Sequence, residues 1–81
     1  MKNFEDLVAE EVLKAITKHK PINSVHEGYA VMLEEMDEFW DWVKKKSKDR
    51  DPNEMLIELV QIGAMAQRCA VDVVIPLPEK K

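Results

Sequence analysis

Glu34, Glu35, Asp37, Glu38 and Asp41 put five carboxylates into eight residues with no basic side chain among them. At helical spacing the pairs 34/37, 34/38, 35/38, 37/41 and 38/41 face one another, and at about 0.2–0.5 kcal/mol each they cost roughly 1–2.5 kcal/mol together. Two arrangements tolerate such a run: a solvated face screened by salt, or a bound hard cation. Further along, between Met55 and Ala66, the only side chains able to hydrogen-bond are Glu58 and Gln61, again three residues apart. Carboxylate and amide oxygens at i and i+3 are ligand types suited to Mg²⁺ or Mn²⁺.

Positioning such groups requires helices, and period and punctuation predict three: about 4–19, 25–46 and 52–73, followed by a tail over 74–81, in one domain without a repeat or linker. Asn3 is the expected N-cap of the first, with Glu5 and Asp6 in its first turn and Phe4, Leu7, Val8, Val12, Leu13 and Ile16 turned inward. Ser24 and Glu27 have the spacing of a capping box for the second. For the third, Asp51 is the expected cap and Pro52 stands at the first helical position, where its missing N–H costs nothing. Past it, Val74-Ile75-Pro76-Leu77-Pro78 cannot continue as α-helix.

At 100° per residue, Val25, Tyr29, Met32, Met36, Phe39, Trp40 and Val43 form the broad expected core face of the second helix. Gly28, Val31, Glu35, Glu38 and Trp42 form a mixed stripe beside it, which suits a partly dry cleft. The third helix is apolar nearly all round, as for a helix buried between neighbours, apart from a wedge of Glu54, Glu58, Gln61, Arg68 and Asp72. That wedge is either a narrow solvent edge or a surface covered by the second helix; if it is covered, Glu58 must be neutralised by protonation, by Arg68 or by a metal.

The residues Glu34-Glu35-Met36-Asp37-Glu38 followed by Glu58, with 19 residues between Glu38 and Glu58, resemble the EExxE and ExxD elements of the MazG-like all-α nucleoside triphosphate pyrophosphohydrolases. The strings HEGYAVMLEEMDEFWDWVK and ELVQIGAMAQR extend the likeness over roughly residues 24 to 72. The resemblance implies a four-helix all-α fold, which is shortened here because nothing after Pro76 can supply a long fourth helix; a three-helix all-α protomer completed by oligomerisation, as a homodimer or dimer of dimers, is therefore expected. It implies Mg²⁺, with Mn²⁺ as the alternative ion, and cleavage of a (d)NTP between its α- and β-phosphates to (d)NMP and pyrophosphate. Carried over by position, Glu35, Glu38 and Glu58 are metal ligands, and Glu34 is a further ligand or orients the attacking water. Gln61 stands where the family has Asp: its amide oxygen can coordinate but brings no charge and cannot act as a base. Arg68 and Lys45 are the cations expected to meet substrate phosphates. The competing expectation is a non-catalytic helical dimer that binds nucleotide or a protein partner. A di-iron carboxylate bundle is excluded on ligand type, since the residues three after Glu35, Glu38 and Glu58 are Glu38, Asp41 and Gln61 rather than His.

Composition narrows the classes further. With 81 residues the chain can bury only one small core, and its single cysteine, Cys69, allows no internal disulfide, which leaves association as the expected support. The expected setting is cytoplasmic, because the acidic start MKNFEDLVAEE is unlike an export signal and no apolar run approaches the ~18 residues of a membrane span. A net charge of −4 argues against binding nucleic acid along a basic surface. Without the five clustered acids the rest of the chain holds 11 acids against 12 bases, so the acidity is one local deposit. The stretch from Lys44 to Arg50 reads as cations complementing a helix C-terminus.

Overall fold

The computed structural model describes residues 2–79. It is all-α, with three long helices: α1 (Phe4–Lys18), α2 (Val25–Val43) and α3 (Pro52–Cys69). A 3₁₀ turn, Ser47–Asp49, lies between α2 and α3, and a π-turn, Ala70–Val74, extends α3. No strand occurs among the described residues.

Each helix starts on a side-chain cap. Asn3 and Asp6 form a reciprocal box on α1: Asp6 N–H donates to Asn3 Oδ1 at 2.9 Å, and Asn3 N–H donates to Asp6 Oδ2 at 3.2 Å. On α2, Ser24 Oγ accepts from Glu27 N–H at 3.0 Å. The return half of the expected box is displaced by one residue, because Glu27 accepts from the backbone and side-chain amides of Asn23, at 3.3 and 3.2 Å, instead of from Ser24. Asn23 offers two donors to one oxygen and so outcompetes a single backbone N–H. Asp51 caps α3 through Asn53 N–H at 2.9 Å, with Pro52 in the first turn. Helix α2 ends at Val43, three residues earlier than expected, where Arg50 Nη2 donates to the Val43 carbonyl at 2.6 Å. A cation thus closes this C-terminus, although from beyond the lysines rather than from among them.

Helix α3 is the centre of the molecule. Both α1 and α2 lie along it, with little direct contact between those two. The core joins Val8, Val12 and Ala15 of α1 to Val60, Ala64 and Met65 of α3, with Leu7, Val31 and Met32 packed against it. The chain's two glycines sit at the two crossings. A Cβ on Gly63 would stand 3.0 Å from Val8 Cγ2, and one on Gly28 would stand 2.3 Å from Cys69 Sγ. At Gly28 no side chain fits between α2 and α3.

This approach settles which side of α2 faces inward, and it corrects two expectations. Gly28, Val31 and Glu35 of the mixed stripe turn toward α3, and of the broad apolar face only one edge follows: Met32, Phe39 and Val43 are half-buried, whereas Val25, Tyr29, Met36 and Trp40 are exposed, Trp40 by 56%. Packing the side of Gly28 brings the helices closer than packing the side of Tyr29 and Trp40 could. On α1 only the stripe through Val8, Val12 and Ala15 is covered, whereas Phe4, Leu13 and Ile16 are exposed, since one neighbour along one side covers a narrow strip. Likewise α3 keeps Leu56, Ile57 and Leu59 exposed.

Gly28→Ala should therefore destabilise the protein by about 1–2 kcal/mol, overpacking outweighing the helix-propensity gain of about 1 kcal/mol. Combining it with Cys69→Ala, which removes the obstructing sulfur, should recover part of the loss. A double-mutant cycle by denaturant unfolding measures this coupling, and strict additivity would dissolve the argument.

Candidate metal centre and adjoining cavity

Antiparallel helices in close contact bring distant sequence positions to the same height. Glu35 and Glu38, one turn apart on α2, meet Glu58 on α3, and one carboxylate oxygen from each lies within 4.8 Å of the other two. Glu35 and Glu58 are half-buried and Glu38 is exposed, so the cluster has a wet side and a dry side. On the dry side Glu58 Oε2 is buried without a hydrogen-bond partner.

Three carboxylates at this separation cannot all ionise without strong repulsion. Burial, followed by the neighbouring Glu38 charge, pushes the Glu35 carboxyl up from its ordinary 4.5 to about 7. Glu58 is raised as well, by burial first and then by Glu38. Arg68 does not relieve it, because the only ion pairs among the described residues are Lys2–Glu10 and Lys44–Asp41. Of the three ways to neutralise Glu58, protonation and a metal remain. The donor set fits Mg²⁺ or Mn²⁺: oxygen ligands throughout, an orphaned buried oxygen, and a negative charge that lacks a protein counterion.

A cavity of about 460 Å³ opens beside this cluster, a volume within the usual range for small-molecule sites. Its lining carries the acids Glu11, Glu27, Glu34 and Glu35 with Gln61, and the cations Lys14, Lys18, Lys20 and Arg68. Its far wall is the loop between α1 and α2, tied down from α3: Arg68 Nη2 donates to the Lys20 carbonyl at 2.9 Å, and Asp72 Oδ2 accepts Ile22 N–H at 2.9 Å. The wedge of polar residues on α3 is accordingly covered over its lower half, from half-buried Glu58 and Gln61 to Arg68, 7% exposed.

The site residues read from the sequence thus fall into three groups. Glu35, Glu38 and Glu58 converge; Glu34, Gln61 and Arg68 line the cavity next to them. Lys45 belongs to neither, its Nζ lying 5.1 Å from the centre of the Trp42 ring on the exposed end of α2. Lys14 and Lys18 are cavity cations that sequence reasoning missed. Their only signal is the spacing Glu11, Lys14, Lys18 along α1, which is indistinguishable from an ordinary solvated helix face. No family model matches the chain, and neither a curated protein nor a solved structure matches it.

The shifted carboxyls make stability depend on pH. A group whose folded value is lifted above its unfolded one favours the folded chain while protonated; that contribution is complete below about pH 4.5 and is lost as pH rises through about 7. The metal-free protein should therefore melt at a lower temperature at pH 8 than at pH 5. Added Mg²⁺ or Mn²⁺ should raise the melting temperature, and more at pH 8, because the ion binds the ionised cluster and displaces its protons. Glu35→Gln should flatten both dependences in a thermal-shift series.

Proposed function

We propose that the protein is a divalent-metal-dependent nucleoside triphosphate pyrophosphohydrolase of the MazG-like kind. The observation that carries this reading is the convergence of Glu35, Glu38 and Glu58 to within 4.8 Å at the edge of a cavity that Lys14, Lys18 and Arg68 also line. A polyphosphate needs both: acids to hold its cations and cations to meet the oxygens left over.

In this reading Glu35, Glu38 and Glu58 hold Mg²⁺. The ion, when bound, supplies neutralisation of phosphate oxygens and a water of lowered pKa. Glu34, exposed on the cavity side of the cluster, orients the attacking water and accepts its proton as the water oxygen bonds to phosphorus and the α–β anhydride bond breaks. Products are a nucleoside monophosphate and pyrophosphate. Gln61 lends an amide oxygen at the cavity edge but takes no proton, so proton transfer falls to the carboxylates.

A second copy of the chain belongs to this proposal. The radius of gyration is 14.4 Å, against about 12 Å for a compact domain of this length, and the molecule measures 50 × 28 × 26 Å. Among the described residues no large side chain is fully buried, while Val25, Tyr29, Leu33, Met36 and Trp40 form an open apolar stripe on α2. Self-association over this stripe would cover it and complete the bundle without touching the inward carboxylates. Gln61 in place of an acid is the observation that favours the alternative, a nucleotide-binding helical dimer without turnover.

A panel of ribo- and deoxyribonucleoside triphosphates with Mg²⁺, assayed for pyrophosphate release, separates the two, and silence across the panel sinks the enzyme reading. In an active protein Glu35→Ala and Glu58→Ala should each lower kcat/KM by more than about 100-fold with the oligomer intact. Gln61→Asp should tighten metal binding in a titration. Trp40→Glu should shift the protein to monomer in analytical ultracentrifugation; an unchanged mass would exclude the α2 stripe as the interface.

A further inference from the structure

The segment that joins α1 to α2 is held by few bonds. Among the described residues none of Lys20, Pro21, Ile22 and Asn23 makes a backbone–backbone hydrogen bond, and Asn23 bonds only to Glu27, in the first turn of α2. Two bonds cross from this segment to the body of the fold, and both come from the end of α3. Arg68 Nη2 donates to the Lys20 carbonyl and Asp72 Oδ2 accepts Ile22 N–H, each at 2.9 Å. They grip the chain on either side of Pro21, whose fixed φ makes Lys20, Pro21 and Ile22 one stiff piece. Extended backbone at His19 and Ser24, the caps that flank it, supplies a joint at each end.

One of the two grips is costly. Arg68 is 7% exposed, its charge is met only by the Lys20 carbonyl and, at 3.8 Å, the Met65 sulfur, and its Nε is buried without a partner. Neutral acceptors do not replace the hydration of a guanidinium, so lifting Lys20 away returns the charge to water. Against that stands Ile22, which is 4% exposed. Its Cγ2 lies 3.7 Å from the position a Cβ on Gly28 would take, the same position that Cys69 Sγ crowds at 2.3 Å, so Ile22 seals the contact of Gly28 with Cys69 from the loop side. Gain and cost oppose each other within a few residues, which is the condition for a segment that opens while the helices stay packed.

We infer that Lys20, Pro21 and Ile22 form a hinged strap over the cavity: Asp72 and the Ile22 side chain hold it shut, and rehydration of Arg68 drives it open. His19, Lys20 and Ile22 line the cavity, so an open strap removes part of its far wall and uncovers Cys69. The inference concerns the chain itself and stands apart from the pyrophosphohydrolase reading.

The test combines hydrogen exchange with thiol labelling of the full chain, both well below the urea transition. By NMR, the Ile22 amide should exchange through an opening almost independent of urea, while the Ala64 and Met65 amides follow the steep slope of global unfolding. Cys69, the chain's only cysteine, is the second reporter, labelled with a small thiosulfonate. Asp72→Ala should speed its labelling about tenfold or more, and Asp72→Asn, whose amide oxygen still accepts the Ile22 bond, should restore most of the protection. Arg68→Met, which fills similar space without a charge, should slow labelling. A common urea slope for Ile22 and Ala64 overturns the strap, as does unchanged labelling in Asp72→Ala or faster labelling in Arg68→Met. The exchange measurement needs no substitution and decides the matter even where a variant fails to fold.

Discussion

The contact between Gly28 and Cys69 governs the geometry of everything built on α2. A Cβ at that position would lie 2.3 Å from the sulfur, so the backbone of α2 at Gly28 rests directly on the Cys69 side chain of α3. Glu35 and Glu38, two and three turns further along α2, inherit that closeness and come within reach of Glu58. A wider crossing would leave three separate, solvated carboxylates with ordinary acidity. The same contact rotates α2 so that the side carrying Val25, Tyr29, Met36 and Trp40 points away from the core.

Electrostatics then divides the interhelical space in two. At the cluster, negative charge is in excess, and burial raises Glu35 and Glu58. At the loop end, Arg68 is buried and is held only by a carbonyl and a thioether. Separated charges of this kind cost stability in the isolated chain. On the proposed reading a metal polyphosphate relieves the cluster, its cations on the acids and its outer oxygens on the α1 lysines. Marginal packing fits the same picture, because a chain with few buried large side chains gains from any ligand or partner that binds only the folded form.

Local signals were legible wherever the physics is local. The caps Asn3, Ser24 and Asp51 act through residues two or three positions away, and all three begin helices as the sequence predicts. Glu35, Glu38 and Glu58 stood out because acids without lysines between apolar neighbours are unusual on a solvated helix. Burial on α2 was misjudged for a definite reason. A helical wheel ranks faces by hydrophobicity, whereas the α2 face that packs is the one whose glycine permits the nearest approach. Lys14 and Lys18 carry no signal because their place on the cavity depends on a loop tied down by Arg68 and Asp72, 48 and 50 residues from the backbone atoms they hold.

By itself, then, the sequence determined three capped helices, a concentrated acidic deposit on the second helix, and an acid and amide on the third to face it. These follow from interactions spanning no more than a turn or two. Only the tertiary structure decided which stripe of α2 is buried, that Glu58 has an orphaned oxygen, that Lys45 lies away from the cavity, and that Lys14 and Lys18 line it with Arg68. Those outcomes depend on how closely and at what rotation two helices meet, and that is set by steric fit at single atoms, which no periodicity encodes.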